Sequence, residues 1–272
     1  MGLQFTTRPG LVVYVTCGDP NLEITRDVVL EAIDAGADVV ELGVPFSDPV
    51  ADGPVIQRAS ERALGQGARL GDVLKLGAEI RRRRPQAGLL VFSYLNPILR
   101  MGLAKFCAAA EDAGLDGALV TDLPVEEAED YLREMRKRNL APVFLAAPTS
   151  TEVRLKSIAK ASAGFVYVVA RTGITGARSE FPSEAKELVA RIRRYTKLPL
   201  AVGFGISTAS QFASVGEFAD AVVVGSAIVE TIERNVGREA DAVGTFVRGL
   251  VQRRGPAVCV AHKEQVKTRA RG

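Results

Sequence analysis

Histidine is almost missing from this chain: there is one in 272 residues, His262, and it lies in a polar C-terminal stretch. A histidine-ligated metal and a Ser-His-Asp triad are therefore not expected. Tryptophan is absent, and the three cysteines, Cys17, Cys107 and Cys259, have no paired spacing. That argues against a disulfide framework or a zinc cluster. No apolar run is long enough to cross a bilayer and no segment resembles a signal peptide, so a cytoplasmic protein with no membrane association is the expectation. Neither sign of charge dominates, with 35 Lys and Arg against 32 Asp and Glu. Basic residues are scattered apart from the run Arg81 to Arg84, which most simply closes a helix at its negative pole, and nucleic acid is not an expected partner.

What is present is a regular alternation. Runs rich in Val, Leu and Ile at 11–16, 38–43, 88–94, 117–122, 141–146, 165–170, 198–204 and 221–225 are each followed by a helical pattern, near 22–35, 53–64 and 70–83, 103–113, 126–138, 151–161, 183–195, 208–215 and 227–235. Eight strands alternating with helices predict right-handed βαβ units closing into a single-domain (β/α)8 TIM barrel. A further helix is predicted over 238–252. The barrel domain is expected to span 1–254 and the polar residues 255–272 to form a tail.

One stretch carries the strongest chemical signal: Asp38-Val-Val-Glu-Leu-Gly-Val-Pro-Phe-Ser-Asp-Pro-Val-Ala-Asp-Gly-Pro54. Strand side chains alternate faces, so Glu41 shares a side with Val39 and Gly43 while Val40 and Leu42 share the other. A carboxylate inside such a strand costs several kcal/mol of desolvation unless it is paired or protonated. Two readings are open, a buried structural ion pair and a catalytic acid with a raised pKa. In TIM barrels the active site lies at the C-terminal ends of the strands, which brings Glu41, Asp48, Asp52, Asn96, Asp122, Tyr167, Arg171, Gly203, Gly205, Gly225 and Ser226 to one face. The loops Arg171-Thr-Gly-Ile-Thr-Gly176, Gly203-Phe-Gly-Ile-Ser207 and Gly225-Ser226 are glycine-rich and follow strands 6 to 8, where barrels bind phosphate. The implied substrate is a phosphorylated small molecule. Every lysine lies in a helix, a connection or the tail, so Schiff-base chemistry at a strand end is excluded. Carboxylate acid/base catalysis remains, with Glu41 on a rigid strand and Asp52 on a better solvated loop in opposite roles.

The segments Tyr14-Val-Thr-Cys-Gly-Asp-Pro20, Glu41 to Pro54, Leu119-Val-Thr-Asp-Leu-Pro124, Tyr167 to Gly176, Gly203 to Ser207 and Gly225-Ser-Ala-Ile-Val229 resemble, in order, the signatures of the tryptophan synthase alpha family. The resemblance covers roughly residues 11–236. It implies a retro-aldol cleavage of indole-3-glycerol phosphate to indole and glyceraldehyde 3-phosphate, in tryptophan biosynthesis. By the same resemblance Glu41 is the acid and base, Asp52 accepts the indole N–H, and Tyr167 is the pocket tyrosine. Tyr14, Ile56, Leu90, Leu119 and Phe204 match the indole pocket, and Thr175 matches a loop residue that contacts the aspartate on closure. Gly176, Gly205, Gly225 and Ser226 match the phosphate cradle. The family uses no metal or cofactor in this chain. Its partner is a beta subunit carrying pyridoxal phosphate, in an alpha2-beta2 complex, contacted here through Pro45 to Asp52 and Asn96-Pro-Ile98. The isolated chain is then expected to be weakly active until the partner orders these loops.

Three features depart from the pattern: about ten residues precede strand 1, leaving a floor-covering helix short or absent; Tyr14 stands where relatives often have Phe, adding a hydroxyl that needs a partner; and the tail is long and basic. Arg171 and Asp122 read as a loop-anchoring network, and Cys17 as inert. Two other classes remain open from the residues alone: another phosphate-binding barrel lyase or isomerase, and a regulatory subunit without catalysis, which intact Glu41 and Asp52 disfavour.

Overall fold

A computed structural model describes residues 3–169, 183–203, 205–252 and 254. Its strands are β1 (Gly10–Thr16), β2 (Val39–Gly43), β3 (Gly88–Ser93), β4 (Gly117–Val120), β5 (Ala141–Val143), β6 (Leu145–Ala146), β7 (Val166–Val169), β8 (Leu200–Gly203) and β9 (Ala221–Val224). The helices are α1 (Leu22–Asp34), α2 (Pro54–Gly65), α3 (Leu70–Arg83), α4 (Leu95–Met101), α5 (Leu103–Asp112), α6 (Glu129–Lys137), α7 (Glu152–Ala161), α8 (Ser183–Arg193), α9 (Ala209–Gly216), α10 (Ser226–Arg234) and α11 (Glu239–Val251).

All strand pairs are parallel, in the order β5-β4-β3-β2-β1-β9-β8-β7-β6. The two ends of that order, β5 and β6, are consecutive in the chain and separated only by Phe144. They are the expected fifth strand, split in two. Pro142 has no N–H to give to a ladder, and the segment turns from one neighbour to the other: β5 pairs with β4, β6 pairs with β7, and the Phe144 carbonyl accepts the Tyr167 N–H at 3.1 Å. The sheet thus closes as the TIM barrel that the alternation predicts.

Alternation sorts the strand side chains into two cores. Val13, Val15, Val40, Leu42, Leu89 and Val91 face outward and pack under the helices. Val12, Val39, Leu90, Leu119, Val143, Ala201 and Val223 fill the barrel interior. Glu41 belongs to the inward set by register, flanked by Tyr14 and Leu90 on the neighbouring strands.

No long helix is needed to close the floor. Leu3 is buried in the interior cluster, and Phe5 packs edge-on against Phe165 with ring centroids 5.8 Å apart. The short N-terminal segment therefore plugs the barrel with two side chains. Thr6 and Thr7 fasten it by donating hydroxyl hydrogen bonds to Asp38, at 2.7 and 3.1 Å.

Two helical expectations need correction. The pattern read over 126–138 is a 3-10 turn, Val125–Glu127, followed by α6. Helix α4 lies where a loop was expected, because Pro97 sits in its first turn, where a missing N–H leaves nothing unsatisfied. Gly102 at φ 92° ends it.

Replacing Leu3 with alanine is expected to lower unfolding stability by about 2–3 kcal/mol in urea titration. A change within about 0.5 kcal/mol would mean the floor is closed by other residues.

Candidate active site

Glu41 stands at the middle of β2, 0% exposed, and among the described residues neither carboxyl oxygen has a hydrogen-bond partner. No cation among them pairs with it, so of the two readings the structural ion pair is the one the geometry does not support. Burial alone pushes its pKa up to about 8. Near neutral pH most of the population carries a proton, and the group is an acid ready to give it away.

Asp52 lies on the loop between β2 and α2 and is only partly buried. Desolvation raises its pKa to about 6, against the lowering effect of a hydrogen bond from Tyr94. The two carboxyls are therefore held in different environments, and near pH 7 Asp52 is the more ionised of the two. Tyr94 was not among the residues singled out from sequence. Its hydroxyl donates to Asp52 Oδ2 at 3.0 Å and accepts the Ala51 N–H at 2.9 Å. Its ring stacks on Phe46, 5.0 Å between centroids. The Gln57 amide adds a hydrogen bond to the Asp52 carbonyl at 2.8 Å. The available signal was an aromatic residue at the end of a barrel strand.

Tyr14 and Tyr167 complete this layer. Burial first, then the charge of Asp52, raises the Tyr14 pKa; burial and then the charge of Glu41 raise that of Tyr167. Both phenols therefore stay protonated and can donate. Tyr14 finds the partner its hydroxyl requires in Thr16 Oγ1, at 3.3 Å. Space for the two rings comes from glycine: a Cβ on Gly43 would collide with the Tyr14 hydroxyl, and one on Gly203 with that of Tyr167. Tyr14 also packs edge-on against Phe92, 5.0 Å between centroids, and against Ala59 and Val229, with Ile56 alongside. Phe92, a partly exposed inward residue of β3, is a second pocket candidate that sequence reasoning passed over. Leu90 and Leu119 are fully buried in the interior, Leu90 in register with Glu41.

Next to Tyr14, helix α10 begins at Ser226 with Gly225 as its cap residue and no side chain capping its first-turn amides. Helices α1, α7 and α9 are capped by Asn21, Thr151 and Thr208, whereas α2 to α6 and α11 share the uncapped start of α10. Uncapped N–H groups at a helix start favour an anion. Gly205, exposed with φ 49°, lies after β8. Thr175, Gly176, Phe204 and Arg171 lie outside the described residues.

Other residues stand apart from this layer. Asp48, Asn96 and Asp122 are exposed; Asp122 Oδ1 accepts the Leu95 N–H at 2.7 Å and so anchors the start of α4. Ile98 is fully buried in α4, which removes it from the expected partner-contact loop. Cys17 is buried and its thiol pushed well up, as an inert cysteine should be.

A family model for the tryptophan synthase alpha chain matches residues 3–252. The chain belongs to the tryptophan synthase alpha chain family. It is 51% identical over 233 residues to the tryptophan synthase alpha chain of Solibacter usitatus, covering 86% of this chain and 87% of that one. Identity to the Janthinobacterium protein of the same name is 44%, over 91% of this chain and 94% of the relative. Among solved structures, the tryptophan synthase complex of Pyrococcus furiosus superposes with a TM-score of 0.84 at 36% identity, over 91% of this chain and 100% of that chain. Subunit alpha from Legionella pneumophila gives 0.83 at 37%, over 90% and 92%. The chain is thus an indole-3-glycerol-phosphate lyase of tryptophan biosynthesis, in a family whose alpha chain needs no cofactor. The alternatives of another barrel lyase or isomerase and of a regulatory subunit give way to this membership.

Tyr94→Phe keeps the stack on Phe46 and removes both hydroxyl bonds, the one to Asp52 and the one from the Ala51 N–H. The Asp52 pKa should then rise, moving the acid limb of kcat/KM to higher pH by about one unit. An acid limb that stays in place would leave Tyr94 only its anchoring bond to Ala51.

Proposed function

We propose that Glu41 is the proton-transfer group of the lyase and Asp52 the stabiliser of charge on the indole ring. The single observation that carries this reading is the buried, unpartnered, raised-pKa carboxyl of Glu41 beside a second carboxyl of lower pKa. Glu41 as the acid protonates indole C3, and positive charge spreads to the ring nitrogen. Asp52, as a carboxylate, accepts the ring N–H and stabilises that charge. Glu41, now a carboxylate, takes the proton of the glycerol C3′ hydroxyl as the carbon–carbon bond breaks. The bond's electron pair returns to the ring, indole leaves, and the new carbonyl is that of glyceraldehyde 3-phosphate. The proton count balances and Glu41 ends as it began.

Tyr167 lines the pocket within electrostatic reach of both carboxyls, and Tyr14, Ile56, Leu90, Leu119 and Phe204 enclose the apolar ring. Gly176, Gly205, Gly225 and Ser226 hold the phosphate by backbone N–H groups, in keeping with the uncapped start of α10. Thr175 meets Asp52 on closure.

The partner is a beta subunit carrying pyridoxal phosphate, in an alpha2-beta2 complex working in the cytoplasm. Its contact segment is Pro45 to Asp52, where Val50 is 86% exposed and lines an open groove of about 580 Å³ with Phe46, Pro49 and Leu64 and the polar Ser47, Asp48, Gln57 and Glu61.

Indole release, assayed with and without the beta subunit, tests the assignment. Glu41→Gln should abolish it in both while leaving binding of a substrate analogue nearly unchanged. Asp52→Asn should lose less, but still several powers of ten. Strong indole release by Glu41→Gln, or a wild-type-like Asp52→Asn enzyme, overturns the respective role. A wild-type rate indifferent to the beta subunit overturns the partner-driven closure.

A further inference from the structure

An ionic chain outside the catalytic layer joins α2 and α10 through their C-terminal turns, away from the helix starts. Asp19, in the loop after β1, is 2% exposed, and Arg62 of α2 takes both its carboxyl oxygens, Nε to Oδ1 at 2.7 Å and Nη2 to Oδ2 at 2.8 Å. The remaining donor of the same guanidinium, Nη1, reaches Glu233 Oε1 of α10 at 2.8 Å. Arg58, one turn before Arg62, grips Glu233 with Nη2 at 2.9 Å and Nε at 3.1 Å. One planar fork thus fastens α2 simultaneously to the β1 loop and to α10, a geometry a lysine ammonium cannot reproduce. The inner faces of the same two helices meet over Tyr14 through Ala59 and Val229.

The starts of these helices matter for the substrate. Helix α2 begins at Pro54, directly after Asp52-Gly53, and α10 begins at Ser226 with its amides uncapped. An indole N–H held by Asp52 and a phosphate held at Ser226 are therefore attached to two elements that Arg62 ties together. We propose that Arg62, acting through Glu233, is a positioning residue that sets the span between the indole end and the phosphate end of the site. This rests on the assignment of Asp52 and Ser226 made above. A site of fixed span binds a two-headed ligand more tightly than either head, because the second contact is made at high effective concentration. Loosening the span costs the tethered ligand affinity without altering either half-site.

The chain can be cut at Glu233 without emptying the core. Glu233 is partly exposed and its pairs with Arg58 and Arg62 contribute little to stability. Removing Arg62 outright would strand the buried Asp19 charge and endanger the fold. The variants are therefore Glu233→Ala and Arg62→Lys, in the full chain, with thermal midpoints recorded. Calorimetric titration uses three probes: indole, inorganic phosphate, and a non-cleavable indole bearing a propyl phosphate. Glu233→Ala should weaken the tethered probe about tenfold, with indole and phosphate held within about twofold of wild type. Arg62→Lys should lose at least as much. An unchanged affinity for the tethered probe, or a parallel loss for all three, overturns the proposal. If wild type holds the tethered probe no tighter than its halves, the two-ended site itself fails, and the proposal with it.

Discussion

Burying a carboxyl group with no partner is among the more expensive things a fold can do, and Glu41 is held that way at the centre of β2. The cost is met by protonation: desolvation lifts the pKa to about 8, and the neutral acid is what the interior tolerates. The same property makes the residue useful, since an acid with a pKa near the working pH can both give and take a proton. Stability and reactivity therefore pull on one group in opposite directions, and the surrounding layer keeps the compromise in place. Tyr14 and Leu90 flank Glu41 in register, and Gly43 and Gly203 leave room for the two tyrosine rings.

The barrel supplies rigidity where the chemistry needs it and loops where it needs access. Glu41 is on a strand paired on both sides, so its position is fixed by hydrogen bonds that do not depend on ligand. Asp52 is on a loop, and its placement depends on Tyr94, Gln57 and the start of α2. A residue that stabilises charge on a bound ring can arrive with closure, whereas the proton-transfer group has to be in place beforehand.

Much of this was legible in the chain. A carboxylate breaking an apolar period-two pattern marks Glu41 without any fold, and eight strand–helix units put it at a catalytic face. The unread parts have physical reasons. Helix α4 is not marked locally, because Pro97 is tolerated only in a helix's first turn and nothing in the sequence shows where that turn starts. The fifth strand looked continuous because nothing local says that Pro142 and Phe144 serve different neighbours. Leu3 and Phe5 were too few to register as a structural element, yet two side chains suffice to plug the floor. Arg62 and Glu233 are 171 positions apart, and no periodicity connects them.

Glu41 is buried as a neutral acid, and the pH dependence of stability reads that state directly. The native state keeps the Glu41 proton up to about pH 8, whereas the unfolded chain releases it near the ordinary value of 4.5. Wild-type stability should therefore be eroded by this group as pH rises through that window, by roughly 1.4 kcal/mol per pH unit, and Glu41→Gln should escape the loss. Urea unfolding of both proteins from pH 5 to 9 should show the variant gaining steadily on wild type and the gap levelling above about pH 8. A gap that stays constant across the range would mean that Glu41 has an ordinary pKa, and would contradict the account.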